Sequence, residues 1–138
     1  MAGKAALLVV HMQNSLCKVG GSLESMGHCK AARDAGIIPN IQALQHAFRT
    51  KGLPVVFVVA QHPPEFHVPA YGPFWPAARD LGVNLEGTKD VQVGDELAPV
   101  AGEKIFYNWP FDVFRGNDLE TYLRGQGVET VVLTGVAT

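Results

Sequence analysis

The chain has few cysteines, no long apolar run and no excess of charge, and each shortage narrows what it can be. Two cysteines, Cys17 and Cys29, in 138 residues are too few for the disulfide framework of a small secreted domain. They read as reduced thiols of a cytoplasmic protein. No stretch reaches the ~18 apolar residues that cross a bilayer. Ala5 to Val10 is too short for the apolar part of a signal peptide with its cleavage site. The formal net charge is −2 and the basic residues are scattered, which excludes the electrostatic footprint of a nucleic-acid or anionic-membrane binder. There is no internal repeat and no low-complexity tract. Gly20-Gly21 lacks the G-x-G-x-x-G spacing of a dinucleotide loop and reads as a flexible loop near the pocket.

Apolar residues make up 47% of the chain and charged residues 17%, a globular composition. The length suits one domain with a real core and is too short for two, so residues 1–138 are expected to form a single domain. Four short apolar runs stand out: Ala5 to Val10, Val55 to Val59, Lys104 to Tyr107, and Thr130 to Thr134. Three are continuous rather than alternating and rich in β-branched residues, as strands buried on both faces of a parallel sheet are. Between them lie helical patterns. Pro39 to Lys51 carries Ile41, Leu44, Ala47 and Phe48 at helical spacing, with Pro39 suited to the first turn and Gly52 to the stop. Asn117 or Asp118 caps a helix bearing Leu119, Tyr122 and Leu123 that ends near Gly125 to Gly127. A shorter helix is expected around Trp75 to Leu81. The proline-rich stretch from Gln61 to Pro76 reads as a long ordered loop.

Strands alternating with helices imply right-handed crossovers and a three-layer α/β/α fold with a mainly parallel sheet. Ligands of such sheets bind at the carboxyl ends of the strands. That singles out His11, Gln61-His62, Asn108, and Gly135 to Thr138, one group after each run.

The segment Ala6-Leu7-Leu8-Val9-Val10-His11-Met12-Gln13-Asn14 resembles the opening of the isochorismatase-like cysteine hydrolases, a strand followed by Asp-Met-Gln-Asn. Phe114-Arg115-Gly116-Asn117-Asp118-Leu119 is similar to the family's Phe-x-Gly-Thr-x-Leu, and Val132 to Thr138 to the segment leading to its nucleophile. The three motifs stand in the right order and cover the chain from Ala6 to its end. The resemblance implies the isochorismatase-like fold and nucleophilic attack by Cys on an amide or carbamoyl carbon, with Asp and Lys beside it.

Carried over residue by residue, the Asp position is His11 and the Lys position is Asn108. Lys104 is the nearest lysine, about 13 Å away at ~3.3 Å per strand residue. The nucleophile falls three residues beyond Thr138, and neither Cys17 nor Cys29 matches it. The fold uses about six strands, so the chain is expected to be incomplete at its C-terminus, with the fourth run as a bare apolar edge near Val131 to Leu133.

His11 is open to two readings: a degenerated site holding a hydrogen-bonded histidine, or an imidazole replacing the carboxylate as general base. Asn108 joins it as the second candidate catalytic residue. Gln13, Trp109, Val136, Ala137 and Thr138 are the candidate substrate-binding residues. Trp109 serves either packing or an apolar substrate wall, while Tyr71, Phe74, Trp75 and Phe111 read as packing. The resemblance also implies that the turn at Gly135-Val136-Ala137 carries a non-proline cis peptide, with oxyanion-binding amides just after it. His62, Glu65 and His67 resemble the nicotinamidase metal loop. Its Asp position is Ala60 and the remaining ligands are few, so no metal and no cofactor are expected.

The reading that follows is a small-molecule hydrolase acting on a C–N bond of amide or carbamoyl type, with an altered catalytic set. The alternative is a catalytically inactive member that binds a small ligand or a protein partner. A homo-oligomer is expected, with no nucleic-acid or membrane partner.

Overall fold

The computed structural model describes residues 3–65, 78–108 and 112–136. Its centre is a parallel sheet of four strands: β1 (Lys4–Val10), β2 (Val55–Ala60), β3 (Lys104–Asn108) and β4 (Val128–Gly135), in the order β3-β2-β1-β4. This order is compatible with right-handed crossovers between the parallel strands. Register is continuous where the site will lie. Val10 stands opposite both Val58 of β2 and Gly135 of β4, and Asn108 stands opposite Ala60.

The continuous β-branched runs become the central strands because both faces of those strands are covered. All six residues of β2 are buried. Alternate residues feed two separate cores. Leu7, Val9, Val55 and Phe57 face one layer, with Ile38 and Ile41 packed on them. Ala6, Leu8, Val56 and Val58 face the other, against Leu119 and Leu123. This two-residue alternation sets the three-layer architecture.

The first layer is built on α3 (Ile37–Thr50), which spans the expected Pro39–Lys51 pattern and places Pro39 in its first turn. Gly52, at φ +64°, follows it, a left-handed position that suits glycine. The short helices α1 (Asn14–Cys17) and α2 (His28–Asp34) precede α3. The opposite layer holds α4 (Leu119–Gly125). Asp118 occupies its cap position, but the Asn117 side chain does the capping, its Oδ1 accepting from the Leu119 amide at 3.0 Å. Of the expected Trp75–Leu81 helix, residues up to 77 lie outside the described ones, and 78–80 are helical.

The outer strands are less covered. On β4, Leu133 is 61% exposed and Val131 37%, on the same side as α4 by their pairing with Leu8 and Ala6. Gly21 is packed rather than slack: a Cβ there would meet the Asn14 carbonyl oxygen at 2.2 Å. Among the described residues no helix is long and apolar enough to cross a membrane. Cys17 and Cys29 are free and buried, and burial pushes the Cys17 thiol up to about 11.

Candidate functional site

The strand ends bring the two expected catalytic residues together. β1 stops at Val10, and His11 turns the chain out of the sheet with φ +54°. A histidine in the left-handed region is uncommon and costs of order 1 kcal/mol or more, a strain that tends to collect at functional sites. Its amide still donates to the Val58 carbonyl at 2.8 Å, so the bend begins from a fixed point. Asn108 ends β3 and is 2% exposed. β2 lies between β1 and β3, which puts their axes roughly 10 Å apart. The two side chains meet across the end of β2, with His11 Nε2 and Asn108 Oδ1 3.0 Å apart. The Asn108 Nδ2 points to the Asp112 carbonyl at 3.5 Å.

Burial pulls the His11 imidazole below its usual value, and the bond to Asn108 opposes that pull. The ring is thus predominantly neutral at pH 7, the form in which an imidazole accepts a proton. Gly135 borders this end of β1, its position allowing no side chain: a Cβ would stand 2.6 Å from the Val10 carbonyl oxygen. Val136 packs its side chain against the α3-side core. Trp109, Ala137 and Thr138 lie outside the described residues. No peptide bond among the described residues is cis.

Gln13 differs from expectation. It is fully buried and its amide is consumed internally. Oε1 accepts from the Ala60 amide at 2.7 Å, while Nε2 donates to the Ala60 carbonyl and to Asn84 Oδ1, both at 3.0 Å. Where β1 turns away, this side chain closes the hydrogen bonds on the open side of Ala60. It braces the residue opposite Asn108 rather than reaching a ligand. Asn84, a second left-handed non-glycine residue at φ +56°, belongs to the same brace. Sequence reasoning did not single it out, and an isolated Asn in a loop carries no signal that would have done so.

His62 is buried, with its amide donating to the Asn84 carbonyl at 2.8 Å. Burial pulls its imidazole down to about 4. Glu65 is exposed, and His67 lies outside the described residues. Among the described residues no group of three or more His, Cys, Asp or Glu side chains is placed to hold a metal ion. A cavity of about 170 Å³ on the α3 side is lined by Met12, Asn14, Cys17, Lys18 and Arg33, among others, and not by His11 or Asn108.

The fold agrees with comparisons to known proteins. A family profile described as the isochorismatase domain matches residues 5–138. A ureidoacrylate amidohydrolase from Pseudomonas syringae pv. syringae is 31% identical over 99% of this chain and 60% of its own length. The crystal structure of an N-carbamoylsarcosine amidase from Thermoplasma acidophilum is similar with a TM-score of 0.69 and 30% identity, covering 96% of this chain and 67% of that one. A cysteine hydrolase from Pseudomonas syringae pv. phaseolicola gives a TM-score of 0.80 at 25% identity, covering 96% of this chain and 59% of that one. The chain thus spans about 60% of the length of the curated relative it matches.

Proposed function

The chain belongs to the isochorismatase family, and from that premise we propose that it works in a hydrolase that cleaves a C–N bond of amide or carbamoyl type in a small molecule. His11 is the general base and Asn108 its partner. The observation that carries this reading is the 3.0 Å contact between His11 Nε2 and Asn108 Oδ1 at the carboxyl ends of β1 and β3, where α/β sheets hold their ligands. A neutral imidazole on a strained, fixed turn meets the requirements for drawing a proton from a thiol nucleophile. The thiolate would then attack the carbonyl carbon, the C–N bond would break as His11 returns its proton to the leaving amine, and water would cleave the resulting thioester to free the acid and the thiol. By the family resemblance the thiol belongs three residues after Thr138. Residues 135–138 and Trp109 are the groups proposed to flank the substrate, and the exposed apolar residues Val131 and Leu133 of β4 are the surface proposed for self-association.

The second reading, a binding protein without turnover, is favoured by one feature. Asn108 brings no positive charge to the place where the resemblance implies a Lys, so a thiolate there would be less stabilised. Ammonia release from a panel of ureido acids, N-carbamoyl amino acids and simple carboxamides, measured on protein made from the whole gene, separates the two. Turnover of at least one carbamoyl or amide compound is expected. Saturable binding of such a compound with no release of ammonia would establish the second reading instead.

A further inference from the structure

The proposed base has two ring nitrogens, and the structure distinguishes them. Asn108 Oδ1 lies 3.0 Å from His11 Nε2. At the other end of the Asn108 amide, Nδ2 points to the Asp112 carbonyl at 3.5 Å. Turning the amide over would put Oδ1 against that carbonyl, two acceptors with no proton between them. It would also direct an N–H at Nε2. Asn108 is 2% exposed, so an unfavourable orientation could not be relieved by water. With Oδ1 facing the ring, Nε2 must carry the hydrogen. No described residue makes a hydrogen bond to Nδ1.

We propose that Asn108 holds His11 as the Nε2–H tautomer, leaving the basic lone pair on Nδ1, so that a proton taken up by His11 arrives at Nδ1. Its catalytic meaning rests on His11 being the base, whereas the tautomer is a property of the resting chain. Asn108 is then a positioning residue. It fixes which nitrogen is basic and, once the ring is protonated, its Oδ1 accepts a charge-assisted bond from Nε2–H, which is stronger than the neutral one. The backbone holds both partners in place. The left-handed turn at His11 and its amide bond to Val58 at 2.8 Å fix where the ring leaves the sheet. Gln13 fixes Ala60, the residue that Asn108 stands opposite. Any group that gives its proton to His11 must therefore approach the Nδ1 side of the ring.

The test is long-range 1H–15N correlation spectroscopy of uniformly 15N-labelled protein, with the His11 signals identified by their loss in His11→Gln. Above the ring's titration, the parent should show a protonated Nε2 and an unprotonated Nδ1. Asn108→Asp, which presents only acceptors, should keep that tautomer and raise the His11 midpoint by about one pH unit or more. Asn108→Leu should lose the preference and show both tautomers in exchange. An Nδ1–H tautomer in the parent, or the parent pattern in Asn108→Leu, would overturn the proposal. If Asn108→Leu does not fold, the parent and Asn108→Asp still decide it, because both must show Nε2–H. The hydrolase reading is tested separately: the expected tautomer with no hydrolysis leaves this inference standing and removes that function, while hydrolysis with the opposite tautomer does the reverse.

Discussion

The two faces of the sheet are unequal, and β2 shows it within neighbouring residues. Phe57 and Val56 are both fully buried. Phe57 points into a core closed by a fourteen-residue helix, the loops around α1 and the segment at Leu97, whereas Val56 points to a face whose helix has seven residues. Past α4 that face ends in the exposed Val131 and Leu133. The lesson concerns the division of labour. Among the described residues, the cluster on the α3 face is the larger of the two and the one on the α4 face the smaller. The candidate site lies at the strand ends between them, where few apolar contacts depend on it. Strain at His11 is tolerated there because the α3 core and the Gln13 brace fix the strands on either side.

The largest effects should fall on the α3 face. Phe57→Ala should destabilise the protein by about 3–5 kcal/mol in denaturant unfolding. Leu119→Ala on the α4 face should cost less, about 2 kcal/mol, because a side near open surface can relax around the loss; equal costs would break the comparison. Gln13→Ala should cost about 1–3 kcal/mol, since it strands the buried Ala60 amide and the Asn84 side chain, and unchanged stability would mean the brace is incidental. A pH-dependent effect is expected from His62, whose folded value of about 4 lies below the ordinary 6.5. The unfolded chain therefore binds the extra proton first as pH falls. Stability should be fully present above about pH 6.5 and drop by at most ~1.4 kcal/mol per pH unit down to about 4. His62→Asn should flatten that slope, and an unaltered slope would show that another group controls it. Smallest of all, Leu133→Thr should shift the stability of the monomeric chain by within about 0.5 kcal/mol. A larger loss would mean that the open flank is covered in solution.

The layers were legible in the amino-acid pattern, because continuous apolar runs alternating with helical patterns read as a parallel sheet covered on both faces; the run that became β4 is an outer strand and partly exposed. α3 was legible for the same reason, its apolar spacing having one partner face. The first-strand loop was not. α1 has four residues, too few for a helical period to rise above chance, and α2, as short as α4, follows Gly27 with no side-chain cap to mark its start. β4 is longer than its apolar core suggested, beginning at Val128, because backbone pairing with β1 extends beyond the residues that are buried. At the site, His11 and Asn108 could be placed at strand ends from sequence, yet their contact across β2 depends on a left-handed turn that no composition reveals. Gln13 sat within a recognisable motif, but that its amide faces Ala60 depends on how β1 turns away from β2, which the motif does not encode.

The claim that the strand ends carry the chemistry while the α3 face carries the stability is tested most directly by His11→Ala in protein made from the whole gene. kcat/KM for a carbamoyl or amide substrate and the unfolding midpoint would be measured on the same preparation. The account predicts a fall in kcat/KM of about 10²-fold or more, the usual weight of a general base, with stability changed by less than about 1 kcal/mol. Unchanged kcat/KM, or a loss of activity that merely follows unfolding, would contradict it.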